Sequence, residues 1–281
     1  MNNLKTVLLL GVLSGIFLFI GGMVGGQQGM WLALAFAGVT NFVAYWFSDT
    51  FVLKSYRASE LPESDAPKVH AMIRQLSQQA QIPMPKIYVF DQESPNAFAT
   101  GRNPARAAIA LSRGIIQLMG EAELKGVIAH ELTHVLNRDT LLATIAATLA
   151  SAIMFLGYQM RWLGLFSGGG RNDDRRGGAL GMIMMAILAP LAATIIQLAI
   201  SRSREYRADA GAAQITHNPE GLASALEKLT AYAKRLPLKA SQQTAHLFIV
   251  SPLSGKSLPA LFSTHPPLEE RVARLRQMRL G

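Results

Sequence analysis

The sequence predicts an α+β protein, predominantly α, in which four membrane-spanning helices form two hairpins and the second hairpin divides a polar domain. Three observations carry that prediction. Four long stretches lack any Lys, Arg, Asp or Glu, the polar segments between them repeat apolar residues at helical spacing, and three short runs have strand character.

The 281-residue chain is 50% hydrophobic and only 16% charged, the balance of a membrane protein. Thr6 to Met23, Met30 to Phe47, Leu141 to Tyr158 and Ala179 to Ile200 are each close to the roughly 20 residues a helix needs to cross a bilayer. Lys5 gives the first stretch the basic start of a signal peptide. Its apolar run is long, however, and "GGMVGGQQG" offers no A-x-A-like cleavage site, so it is expected to remain as an anchor. Glycines and Gln197 weaken the third and fourth stretches, which could alternatively pair as buried helices of a soluble domain. Their length favours spanning.

The first two stretches are joined by an uncharged Gly/Gln turn and followed by "LKSYRA", which places both ends of that hairpin in the cytoplasm. Lys54, Arg57, Arg138, Arg161, Arg202 and Arg204 flank apolar segments, so the net charge of +9 is explained by helix ends meeting anionic membrane lipid. No basic, aromatic-interleaved strand pattern suggests nucleic acid. With no cysteine, neither a disulfide nor a thiolate metal site is possible, and any tightly held transition metal must rest on His and carboxylates.

Four segments follow: 1–53 as the N-terminal hairpin, 54–140 as the first part of a cytoplasmic domain, 141–200 as the second hairpin, and 201–281 as the domain's second part. Within 54–140, Val69, Met72, Ile73 and Leu76 mark a helix, with Ser64 or Asp65 as its cap and Pro67 near the first turn. "KIYVF" reads as a strand, and "NAFAT" with "AAIAL" as a hairpin punctuated by Gly and Pro. A helix from about Glu121 buries Leu124, Val127, Ile128 and Val135. Beyond the loop "SGGGRNDDRRGG", three more helical segments are expected: "SRSREYRADAGAAQIT", "NPEGLASALEKLTAYAKR" and "PPLEERVARLRQM".

His130 and His134 lie four apart on the Glu121 helix, so both imidazoles leave one face a turn apart, the spacing for shared binding of a single zinc ion. Glu131 beside them can take a proton from an attacking water and return it to a leaving amine. A catalytic zinc wants a third protein ligand, and Glu205 is the best placed to supply it. Asp209, four residues on, shares that face and could fix the tautomer of a ligand histidine; alternatively both acids form a solvated face paired with Arg202 or Arg204. His134 and Glu205 are separated by two apolar stretches, and an even number of crossings returns the chain to the same side. Each ligand-bearing helix could then be a direct extension of a membrane helix. His265, before Pro266 and Pro267, reads equally as a helix cap and as a donor to a tetrahedral oxyanion. His70, His217 and His246 carry no partner signals.

"AHELTHVLNRDT", "SRSREYRADAGAA" and "STHPPLEERVARL", set between four apolar segments, resemble the HtpX family of bacterial membrane-bound zinc metalloproteases, a group related to the CAAX prenyl proteases. The resemblance spans nearly the whole chain. It implies a zincin-like metalloprotease domain in the bacterial cytoplasmic (inner) membrane, multi-pass, with its active site facing the cytoplasm. The implied activity is hydrolysis of misfolded or damaged proteins, membrane proteins among them, under stress. One Zn2+ per chain is implied, held by His130, His134 and Glu205, with Glu131 as catalytic glutamate and Asp209 behind a ligand. His265 matches the family's His-Pro motif, which favours the oxyanion role. "NAFATG" resembles an edge strand that takes extended substrate, placing Asn96, Ala97, Phe98 and Ala99 along it. Two rivals are a catalytically silent scaffold that retains a metal site and a metal transporter. Against the first stands Glu131, needed only for chemistry; against the second, the apolar stretches contain no ionisable group.

Overall fold

The computed structural model describes residues 2–150, 153, 202–235 and 266–279. The fourth apolar stretch, the third beyond Ala150 apart from Ile153, the Gly/Arg/Asp loop, Arg161, His246 and His265 lie outside the described residues.

Helix α1, Asn2–Ser55, is broken at Gly25 and Gly26, where Gly26 takes a left-handed φ of 55° that glycine adopts without steric cost. Its arms fold back on each other: Asn41 Nδ2 donates to Ser14 Oγ at 2.9 Å and to the Leu10 carbonyl at 3.4 Å, and the Phe17 and Phe36 rings meet edge to face. The N-terminal hairpin is therefore present with its turn at the glycines. The span Gly25–Ser55 is long and apolar enough to cross a membrane, and the first arm holds a shorter apolar helix over Leu4–Phe19. Phe19, Trp31 and Leu32 point outward, the last 74% exposed, as side chains facing lipid do.

The polar region builds a four-stranded sheet with β1 (Ser59–Glu60), β2 (Lys86–Phe90), β3 (Ala97–Thr100) and β4 (Ala108–Ser112) in the order β1-β2-β4-β3. β3 and β4 form the expected antiparallel hairpin, with Phe98 opposite Ala110, while β2 lies parallel to β4. Helix α2, Pro67–Gln79, buries Val69, Met72, Ile73 and Leu76 as its periodicity requires. Its N-cap is Ala66, with no side-chain cap, so neither Ser64 nor Asp65 serves. His70 Nε2 meets the Leu61 carbonyl at 2.8 Å, a structural contact. A short α3, Arg113–Leu118, is capped by Ser112 Oγ and leads into α4, Glu121–Leu136.

Most of α4 is buried, including Leu124, Val127, Ile128 and Val135. It ends at Leu136, and Asn137 and left-handed Arg138 (φ 56°) separate it from α5, described over Asp139–Ala150. The ligand-bearing helix is thus not a straight extension of the following apolar helix. α5 packs against the N-terminal hairpin through Leu141, Leu142, Ile145 and Leu149 on one side and Leu9, Leu13 and Ala44 on the other. A second cluster sets Phe90 and Phe98 of the sheet against Val52 at the end of α1 and Ala147 of α5. The sheet therefore lies between the helices of the polar region and the ends of the apolar ones. Helices α6 (Arg202–Thr216), α7 (Pro219–Arg235) and α8 (Leu268–Gln277) complete the core around α4.

Candidate metal centre

α4 presents His130 and His134 from one face, as their spacing demands, and α6 lies across it bringing Glu205 to the same point. The close crossing depends on Gly211: a Cβ there would sit 2.4 Å from Thr133 Cγ2. His130 Nε2 and His134 Nε2 are 3.2 Å apart, His134 Nε2 is 3.5 Å from Glu205 Oε1, and His130 Nε2 is 3.8 Å from Glu205 Oε2. Ligand atoms about 2.1 Å from a tetrahedral zinc are separated by about 3.4 Å; the two histidine nitrogens are near that spacing, and one ligand atom from each of the three residues lies within 4.8 Å of the others, a group that can hold such an ion.

Each imidazole has a carboxylate behind it. Asp209 Oδ1 lies 3.0 Å from His130 Nδ1, off the axis of a linear hydrogen bond. Asp139 Oδ2 lies 3.2 Å from His134 Nδ1. These contacts favour the Nδ1–H tautomers and leave both Nε2 lone pairs for a shared cation. Burial, with the neighbouring His134 and Arg271, lowers the His130 pKa despite Asp209. For His134 burial also pulls downward, but Asp139, Glu205 and Glu131 outweigh it and the net shift is upward.

Glu131 is 4% exposed and accepts the backbone N–H of Ala99 at 2.8 Å. Burial, reinforced by the charge of Glu205, pushes its pKa up to about 7, against the pull of His134, the Ala99 N–H and Arg271. That places a proton acceptor near the working pH beside the histidine pair.

The predicted strand residues lie where the β3 edge meets α4. β3 is an edge strand, and the Ala97 and Ala99 N–H groups serve partners other than β4, namely Asn96 Oδ1 at 2.9 Å and Glu131 at 2.8 Å. Asn96 Nδ2 is buried and without a hydrogen-bond partner, a donor left over on that edge. Phe98 faces the opposite way, into the cluster at the end of α1.

Two further residues, neither expected from the sequence to contact the histidines or their carboxylates, complete the centre. Arg271 of α8, only 2% exposed, grips Asp209 with Nε to Oδ2 at 2.8 Å and Nη2 to Oδ1 at 2.7 Å, and its Nη1 lies 3.7 Å from Glu205 Oε2. Burial raises the Asp209 pKa, but Arg271 and His130 overcome it and hold the carboxyl below its usual range. The signal for Arg271 was its place in the apolar stripe of Leu268, Val272 and Leu275, where a charge stays only if a partner is buried with it. The second residue is Asp139, whose Oδ1 lies 3.9 Å from Arg204 Nη1. Arg204 is 5% exposed and sits inside the protein rather than at a lipid headgroup, and Glu205 and Asp209 are buried rather than on a solvated face. Arg271 pairs with Asp209 and Arg204 lies near Asp139, while Glu205 is the carboxylate that meets both histidine Nε2 atoms, which suits a dication.

Comparison with known proteins gives the chain's family. The profile of peptidase family M48 matches residues 63–279. A "Protease HtpX homolog" of Desulforapulum autotrophicum is 54% identical over 277 residues, covering 98% of this chain and 89% of the relative. Another, from Syntrophobacter fumaroxidans, is 52% identical over 280 residues and covers 99% of both. The crystal structure of S. mikatae Ste24p shares the fold, with a TM-score of 0.54 at 20% identity over 96% of this chain and 64% of that one. Matched in sequence along the polar region and across nearly its full length, the chain belongs to peptidase family M48.

Proposed function

We propose that the protein is a membrane-integrated zinc endopeptidase in which His130, His134 and Glu205 hold one Zn2+ and Glu131 moves the protons of peptide hydrolysis. The chain is a membrane metalloprotease by family, and the proposal concerns the metal, the residues and the substrates. The observation that carries it is the convergence of two histidine Nε2 atoms, 3.2 Å apart, on the Glu205 carboxylate, whose oxygens lie 3.5 Å from His134 and 3.8 Å from His130, with a buried carboxylate, Glu131, next in sequence to His130. When bound, zinc supplies Lewis-acid polarisation of the scissile carbonyl and lowers the pKa of water toward about 7.

The chain's own residues do the rest. Glu131 accepts a proton from the attacking water and delivers it to the leaving amine nitrogen, so no covalent acyl-enzyme is needed. The upward-shifted Glu131 carboxyl suits both halves of that exchange. Asp209, fixed by Arg271, orients His130. Extended substrate adds to the β3 edge along Asn96, Ala97, Phe98 and Ala99, with main-chain hydrogen bonds supplying affinity. His265, on the segment before α8, donates to the tetrahedral oxyanion.

The domain is zincin-like, assembled from 54–140 and 201–281 around a second hairpin at 141–200, with the first hairpin at 1–53. Four membrane helices hold it in the bacterial cytoplasmic membrane with the site toward the cytoplasm, where misfolded and damaged proteins, including membrane proteins, are presented beside membrane lipid. The packing of α5 on the N-terminal hairpin supports an association of the apolar helices.

The test uses full-length protein in detergent with casein as an unfolded substrate. Glu131→Gln should retain zinc and lose cleavage by roughly 100- to 10,000-fold. Cleavage by Glu131→Gln at the wild-type rate would overturn the role of Glu131.

A further inference from the structure

Asp139 is not among the three candidate ligands, yet two charged contacts meet on it. Its Oδ2 is 3.2 Å from His134 Nδ1, its Oδ1 is 3.9 Å from Arg204 Nη1, and it is 3% exposed as the first residue of α5. Residues five apart on a straight helix point well away from each other, so an uninterrupted α4 would carry residue 139 away from His134. The break at Asn137 and left-handed Arg138 turns the chain back and brings the carboxylate behind the imidazole. The next turns of α5, from Leu141 to Leu149, pack on Leu9, Leu13 and Ala44 of the N-terminal hairpin. The carboxylate behind His134 is therefore delivered by the membrane-packed helix, whereas that behind His130 comes from α6.

We propose that Asp139 is a positioning residue, which holds His134 in the tautomer and ring orientation that turn Nε2 toward the metal and so ties zinc affinity to the seating of α5 in the membrane bundle. The inference rests on the ligand assignment above. A carboxylate behind a zinc-bound histidine fixes the tautomer and raises ligand basicity, and loss of such a partner typically costs about 10- to 100-fold in metal affinity.

Asp139 also opens a helix, where its side chain can serve free N–H groups, and that role must be separated from the proposed one. Serine keeps the helix-opening function but is too short to reach His134; asparagine keeps both reach and an acceptor oxygen. Zinc dissociation constants are measured by competition with a fluorescent chelator on the full chain in detergent, for wild type, Asp139→Ser, Asp139→Asn and the double variant Asp139→Ser/Arg204→Met.

Asp139→Ser should bind zinc about 10- to 100-fold more weakly, Asp139→Asn should return to near the wild-type value, and the double variant should stay weak. Wild-type affinity in Asp139→Ser would reduce Asp139 to a helix-opening residue and overturn the proposal. Recovery in the double variant would also overturn it, since Asp139 would then act by neutralising Arg204. Should Asp139→Ser not fold, Asp139→Thr, which also keeps the helix-opening function and is too short to reach His134, takes its place: a roughly tenfold loss of zinc affinity supports the proposal, and wild-type affinity overturns it. Failure of wild type to bind zinc would instead strike the ligand assignment.

Discussion

Arg271 and Asp209, 62 residues apart in sequence, form a two-pronged ion pair at 2.7 and 2.8 Å with both side chains about 2% exposed. α8 is thereby bonded to the carboxylate behind His130, so the last described helix of the chain is part of the metal centre's support.

Removing Arg271 leaves the Asp209 charge buried without its guanidinium, which is the costly way to break an ion pair. Arg271→Ala should therefore destabilise the protein by about 3–5 kcal/mol, read from denaturant unfolding in detergent. A loss below about 1 kcal/mol would mean that water reaches Asp209 and solvates it.

The start of α4 is held by one carboxylate. Glu123 accepts the Gly120 N–H at 2.8 Å and meets Ser224 Oγ and Lys228 Nζ on α7, each at 2.7 Å. Burial alone would raise its pKa, but those donors hold it below the ordinary 4.5. A depressed carboxyl contributes stability that is complete above 4.5 and lost as pH falls through the lower, folded-state value. Glu123→Ala should cost about 1–3 kcal/mol at neutral pH, and the gap from wild type should shrink on acidification below 4.5. A gap unchanged by acid would contradict this source of stability.

Gly126 lets α4 and α7 touch: a Cβ there would lie 2.7 Å from Leu222 N and 2.8 Å from Leu222 Cα, both rigid backbone. Alanine is better than glycine in a helix by about 1 kcal/mol, but the clash should win. Gly126→Ala should lower stability by about 1–3 kcal/mol and shift the thermal midpoint down. A raised midpoint would show that the helices can separate without cost.

Much of the centre was legible from local chemistry. The spacing of His130 and His134 fixes a shared face on any helix, and Glu131, Glu205 and Asp209 followed from what a zinc hydrolase needs beside them. β2, the β3–β4 hairpin and the starts of α4 and α7 carry strong local signals, and the structure has them where the sequence placed them. What stayed hidden depends on long-range pairing or backbone breaks. Arg271 reaches Asp209 only through tertiary packing, and Asp139 faces His134 only because Arg138 turns left-handed. β1, of two residues, and α3, of six, are too short to leave a periodic pattern.

The central claim is that His130, His134 and Glu205 share one metal ion, and Glu205 tests it best because it comes from a different helix than the histidines. Zinc per purified full-length chain should be near stoichiometric in wild type and largely lost in Glu205→Ala, with Glu131→Gln retaining it. Undiminished zinc in Glu205→Ala would contradict the account.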